Sequence, residues 1–282
     1  MINILKNNYG IDINYFEKYE DSISFIIDGD LYYFKKTVYD EKYLLKIRDW
    51  QIKLKESVLL HEFVFNNNGN LLSEGFVLFK CHVLKDSVSL DDVLLFNSIK
   101  VLYNEEFFTN MSYFWEIKID YLEKQLSEIS SSMLVNNSFD YYVGIAENLI
   151  SFLKQINYDS GINYCLSHRV FNSLSLLEFY CPLNICIDYP VRDLAMYLRL
   201  TGDMNLLENI VEKINNNSDK WYFFVRLAFP FSYFNELYDV IIENKDEKKL
   251  INIVNNINQY EKYLLVLEMI FGKRLFYWLK KE

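Results

Sequence analysis

Apolar and polar residues alternate through much of the first eighty positions and recur every three or four positions thereafter. Ser22–Ile27 and Leu31–Lys36 are rich in β-branched and aromatic residues, with Asp28-Gly29-Asp30 between them, which predicts a hairpin. Tyr43, Leu44, Ile47, Trp50 and Leu54 place one apolar stripe on a helix from about residue 40 to 56. Val58–Phe65 and Phe76–His82, joined through residues 66–70, read as a second hairpin. Beyond residue 86 the period lengthens. Ser89, with Asp92 three residues later, predicts a capped short helix. A longer helix is expected from about 105 to 129, burying Phe108, Met111, Phe114, Trp115, Ile119, Leu122 and Leu126, and another from about 140 to 156. From Val191 on the pattern is helical, with breaks at 201–203, 215–218 and 243–246. Strands first and helices afterwards predict an α+β fold, with a β-rich lobe over residues 1–82 and a helical lobe over 83–282. The boundary is expected between His82 and Asp86. No fixed-period repeat is visible.

Composition narrows the classes of partner. Half of the 282 residues are apolar, enough for a substantial core, and no apolar run reaches the roughly 20 residues that span a bilayer. A net charge of -10 opposes binding to nucleic acid or acidic lipid, and the short pairs Lys35-Lys36 and Lys280-Lys281 read as solvated surface. Residues 1–8 carry no signal-peptide pattern, and Cys81, Cys165, Cys181 and Cys186 form no C-x-x-C pair, so a cytoplasmic protein with reduced thiols is expected. The large Tyr and Phe content fits either AT-rich codon usage or a tyrosine-rich interaction surface.

Five segments then recur in a recognisable order: Phe114-Trp115-Glu116-Ile117-Lys118-Ile119-Asp120-Tyr121-Leu122-Glu123, Ser138–Asn148 with its Tyr141-Tyr142-Val143-Gly144, Ser167-His168-Arg169, Asp188–Ala195 and Arg226–Phe234. Through them the chain resembles the aminoglycoside phosphotransferase and choline kinase superfamily, and within it the bacterial spore-coat kinase-like proteins of the YutH and CotS types. The resemblance covers about residues 114–234, while the amino-terminal lobe matches in strand and helix order. It implies a two-lobed protein-kinase-like fold, with a cleft between the lobes that could accept a small molecule.

The loop that carries catalysis in such folds is damaged. In the pattern H-R-D-x-x-x-x-N the aspartate handles the attacking hydroxyl's proton and the asparagine holds magnesium. Here His168 and Arg169 are followed by Val170 in place of the aspartate, and Ser175 stands in place of the asparagine. Valine offers only methyl groups, so this loop supplies no base. His168 is expected to pack and to bond backbone. By resemblance, Asp188 stands at the metal-binding aspartate's place and Lys35 or Lys36 at the phosphate-contacting lysine's. The structural alternative for Asp188 is to turn the chain before Pro190 or to accept backbone N–H bonds. Asp193, a structural residue, precedes a helical run that it can cap, and by resemblance it also steadies the catalytic loop. Alternation turns one of the two lysines inward. Neither Glu41 nor Gln51 supplies that lysine's usual glutamate, and no G-x-G-x-x-G loop joins the first strands.

The leading reading is a pseudokinase without a cofactor that binds protein partners or serves in assembly, associated by resemblance with the spore coat. The alternative is an atypical phosphotransferase using ATP and magnesium, with Asp188 on the metal and Glu178 or the substrate replacing the base. A nucleotide-binding switch without turnover is the third.

Overall fold

A computed structural model of the chain describes residues 1–82, 87–102, 111–128, 133–156 and 164–279. It contains two compact units, Met1–Lys100 with Leu166–Ile187, and Val101–Cys165 with Asp188–Glu282. This differs from a single cut after residue 82. Asp92 and the segment after His168 fall in the first unit, where the Tyr180 hydroxyl donates to Asp92 Oδ1 at 2.6 Å. The expected boundary beyond His82, the Lys280-Lys281 pair and the start of the helix expected at 105 lie outside the described residues.

The first unit opens with a helix that the strand reading missed, α1 (Ile2–Tyr9), closed by Gly10 at a φ of 70°. Leu5 from this helix is fully buried in one cluster with Ile13, Ile23, Phe25, Phe34 and Leu78. There follow β1 (Glu17–Lys18), β2 (Ser22–Ile27), β3 (Asp30–Lys36), α2 (Glu41–Leu54), β4 (Glu62–Val64), β5 (Leu72–Ser73) and β6 (Phe76–Cys81). The sheet order is β1-β2-β3-β6-β4, with β5 also on β6, and the pairs are antiparallel. The β2–β3 hairpin turns where expected, through Asp28 and Gly29, both at positive φ, as a tight hairpin turn demands. Asp40 caps α2 by accepting the Tyr43 N–H, and Leu44, Ile47 and Leu54 are buried as the stripe predicts.

The second expected hairpin is shorter than its apolar run. Residues 58–61 are not strand: Val58, Leu60 and His61 are buried, and the His61 N–H goes to the Tyr180 carbonyl at 3.0 Å rather than into the sheet. The loop after β4 is folded about Asn66, whose Oδ1 accepts the N–H groups of Asn68 and Asn70. Ser89 and Asp92 form the anticipated capping box on α3 (Leu90–Ser98).

After β7 (Lys100–Val101) the chain enters the second unit with α4 (Met111–Glu128) and α5 (Met133–Gln155). Trp115, Ile119 and Leu122 are buried as expected, but Phe114 is exposed, because the buried stripe is narrower than the apolar one. The chain then supplies β8 (Tyr164–His168), α6 (Leu176–Phe179), a 3-10 turn at Pro182–Asn184 and β9 (Ile185–Asp188). The strands of this second sheet are ordered β7-β8-β9. The remainder is helical: α7 (Arg192–Thr201), α8 (Met204–Lys213), α9 (Asn217–Ala228), α10 (Phe231–Ile241), α11 (Lys248–Asn255) and α12 (Ile257–Phe271), broken at or beside the three predicted places and also at 229–230 and at Asn256, which the pattern does not predict. Among the described residues no helix is long and apolar enough to cross a membrane, and the four cysteines are free thiols in buried positions.

Candidate functional site

Strand β3 sends Phe34 to the apolar cluster and turns Tyr33 and Lys35, two residues apart, to its other face. Lys36 is exposed. The inward lysine is therefore Lys35, and it does have an acidic partner: its Nζ lies 2.6 Å from Glu178 Oε1 and 3.5 Å from Asp21. Glu178 comes from α6, the short helix after the damaged loop, rather than from α2. The Tyr33 hydroxyl also donates to Glu178 and lies 3.0 Å from Ser22 Oγ, while Asn184 Nδ2 donates to Glu178 Oε2 at 2.7 Å. Burial raises the Glu178 carboxyl, but the hydrogen bonds from Lys35, Tyr33 and Asn184 and the Lys35 charge outweigh it, so its pKa falls below the ordinary value. For Lys35 burial works downward and Glu178 prevails upward. Both groups are charged, and the carboxylate is held where a general base near neutral pH would be ineffective.

His168 is buried, with Nε2 2.7 Å from the Phe179 carbonyl and its ring 4.1 Å from that of Phe179, in line with the expected packing role. Arg169 donates its backbone N–H to the Asn184 carbonyl at 2.6 Å and its guanidinium to the Tyr43 hydroxyl at 2.8 Å. Val170 is 53% exposed. Ser175 stands at the start of α6, where its carbonyl accepts the Phe179 N–H.

The second unit holds the other candidate residues. Asp188 ends β9, is fully buried, and forms an ion pair with Arg192, the first residue of α7. Its Oδ1 accepts the Tyr222 hydroxyl at 2.9 Å and the Tyr189 N–H at 2.6 Å. Burial pushes its pKa up, opposed first by the charge of Arg192, then by that of Arg226 and by the two hydrogen bonds. Between Asp188 and Arg192 the chain turns at Val191, whose φ is 70°. A β-branched residue rarely adopts that conformation, which costs on the order of 1–2 kcal/mol. The turn returns the Arg192 side chain to the carboxylate four residues before it. Asp193 is buried in the first turn of α7 and is not its N-cap, which is Val191.

Arg226 completes the cluster from α9. It is 2% exposed, and its Nε and Nη1 have no hydrogen-bond partner among the described residues. Its guanidinium instead lies over the rings of Trp115 at 5.5 Å and Phe231 at 5.1 Å. Trp115 stacks on Phe229 at 4.1 Å, so two of the sequence motifs, Phe114–Glu123 and Arg226–Phe234, pack against one another. Burial lowers the Arg226 pKa to about 10, which leaves it charged at neutral pH.

Sequence reasoning missed Arg192, Tyr222 and Arg226 as partners of Asp188. The D-x-x-x-R spacing could have pointed to Arg192, but the other two are 34 and 38 positions away and carry no local signal. Among the described residues no group of three or more His, Cys, Asp or Glu side chains is gathered as metal ligands.

Comparison with known proteins agrees with this organisation. A family described as "Spore coat putative kinase YutH" matches residues 98–267, more than half of the chain. No match was found among curated protein sequences. The chain is similar in structure to an aminoglycoside phosphotransferase from Alicyclobacillus acidocaldarius, with a TM-score of 0.59, 10% identity and 94% of each chain covered. It is also similar to a choline/ethanolamine kinase family protein from Mesorhizobium loti, with a TM-score of 0.58, 9% identity and 92% of each chain covered. For the choline kinase LicA from Streptococcus pneumoniae the TM-score is 0.53 at 12% identity, over 89% of this chain and 91% of that one. The fold is that of this two-lobed α+β group. At such identities the likeness carries the fold and no reaction.

Proposed function

Because the chain belongs to the spore coat YutH family, we propose that it is a pseudokinase, a kinase-like fold retained as a binding or assembly module of the spore coat. The observation that carries this reading is the Asp188–Arg192 ion pair. Magnesium requires a near-octahedral set of oxygens and usually keeps several waters. A fully buried carboxylate bound to a guanidinium, a phenol and a backbone N–H suits a cation already built into the chain instead. The residues present do not fit the metal.

Two further features support the same reading. Val170 brings no proton acceptor to the loop, and Glu178, the alternative base, already accepts from Lys35, Tyr33 and Asn184. Loss of a general base alone removes about 10²–10⁴-fold of rate. The test is a sensitive measurement of ATP consumption by the full chain with magnesium and a panel of small alcohols and amino sugars. Turnover no greater than in the absence of protein is expected. Turnover that is abolished by Lys35→Met, with the variant still folded, overturns the proposal in favour of an atypical phosphotransferase.

A further inference from the structure

A cavity of about 420 Å3 lies wholly within the second unit, lined by residues of α5 and of α7 to α12. That size is within the range of small-molecule sites. Its walls are mainly apolar and aromatic, and its polar groups are unevenly satisfied. Three of its four tyrosines have occupied hydroxyls: Tyr260 on the Ala228 carbonyl at 2.5 Å, Tyr263 on the Leu227 carbonyl at 3.5 Å, and Tyr233 with Ser138 Oγ at 2.9 Å. The fourth, Tyr142, is 1% exposed, stacks on Tyr233 at 3.9 Å, and has a buried hydroxyl with no partner among the described residues. Leaving such a group unmade costs about 1–3 kcal/mol, so an occupant that drew this hydroxyl into the cavity and accepted its proton would recover that cost.

The cavity also has a cation. Arg199 spends Nη1 on the carbonyls of Leu227 at 3.1 Å and Phe229 at 2.7 Å, at the end of α9. Among the described residues it makes no hydrogen bond through Nε or Nη2, and no carboxylate lies within ion-pair distance of it. The acid that lines the cavity, Asp203, is exposed and already accepts the Leu206 N–H at 3.0 Å as the cap of α8. A partly buried guanidinium without a counter-ion and a phenol without an acceptor both ask for a negatively charged oxygen. The aromatic walls ask for a flat or compact apolar body. A cationic ligand would meet Arg199 at short range in a poorly screened place, which disfavours it despite the tyrosines.

We propose that this cavity binds a compact apolar carboxylate, with its ring or chain against Met204 and Ile253, which line it and keep accessible surface, and its anionic end toward Arg199, a small movement bringing the Tyr142 hydroxyl into reach. The lining of the site includes none of Asp188, Arg192, Tyr222 and Arg226, although Arg199 and Arg226 lie over the same Phe231 ring at 4.7 and 5.1 Å. The site uses neither nucleotide nor metal and stands whether or not the chain is a pseudokinase. The test titrates the full chain with three probes that share one ring, namely phenylacetate, phenylacetamide and phenethylamine, and follows backbone amides by NMR. Phenylacetate is expected to saturate in the millimolar range or below, at least about tenfold tighter than the amide, and the amine weakest. Tyr142→Phe keeps the stacked ring, so it should remain as stable as the parent while weakening phenylacetate by about threefold to tenfold. Arg199→Gln should erase the preference for the carboxylate over the amide. Equal affinity for the three probes, no saturation by phenylacetate, or shifts that map away from Tyr142 and Arg199 would each overturn the proposal. If Arg199→Gln does not fold, the probe series and Tyr142→Phe still decide.

Discussion

Lys35 in the first unit and Asp188 in the second stand where the family resemblance led us to expect a phosphate-contacting and a metal-binding residue, and each is paired with an opposite charge within its own unit. They differ in how completely. Lys35 and Glu178 are 14% and 28% exposed as side chains, and the carboxylate is shared with Tyr33 and Asn184. Asp188 has no exposure at all and is the carboxylate against which both Arg192 and Arg226 are set. The first pair can exchange a partner with solvent at modest cost. In the second, every partner is part of the chain, and its removal leaves charge in a dry interior.

Removing Asp188 should therefore be the most damaging single change. Asp188→Ala is expected to cost about 3–5 kcal/mol in chemical denaturation, because Arg192 and Arg226 would remain buried without their carboxylate. The double variant Asp188→Leu with Arg192→Met should lose clearly less than the sum of its single changes, as coupled neighbours do. Additive losses would mean that the ion pair does not hold this region together.

The interior beside the first pair can be probed through His61, whose ring contacts Tyr180 and whose two ring nitrogens are buried without a hydrogen-bond partner among the described residues. Burial lowers its pKa from 6.5 to about 4. The unfolded chain takes up a proton that the folded chain refuses. Stability from this residue is thus complete above pH 6.5 and is lost as the pH falls toward 4. The loss amounts to roughly 3 kcal/mol. His61→Leu should flatten that part of the stability profile measured by denaturation at a series of pH values.

Lys35→Met should cost roughly 2 kcal/mol, less than the change at Asp188, since Tyr33 and Asn184 remain on Glu178. The smallest effect is expected at Val170. As an exposed position it should accept Val170→Asp within about 0.5 kcal/mol, as surface substitutions do. Restoring that one carboxylate is expected to bring no ATP turnover, because Asp188 and Glu178 would still be occupied.

The contrast between the clusters also marks what the sequence made legible. Alternation along β3 identified an inward lysine, and the search for its glutamate in α2 failed because the partner is Glu178, more than 140 residues away. The Asp28-Gly29 turn, the Ser89–Asp92 capping box and the three breaks between late helices were readable because each depends on neighbours in the chain. Helix α1 was missed although Leu5 anchors it, since eight residues give too short a period to stand out among strands. The run Val58–His61 reads as strand because it is apolar, but Val58, Leu60 and His61 are buried by packing rather than in a ladder. Tyr222 and Arg226 reach Asp188 only through the fold, and no local pattern announces such contacts.

The commitment of Asp188 to Arg192 leaves it unavailable to a metal. This is tested most directly by adding manganese, as a paramagnetic stand-in for magnesium, together with ATP to the full chain and following NMR line widths near Asp188. The Tyr189, Arg192 and Tyr222 signals are expected to stay sharp through the millimolar range. Saturable broadening centred on those residues would show a metal held at Asp188 and would contradict it.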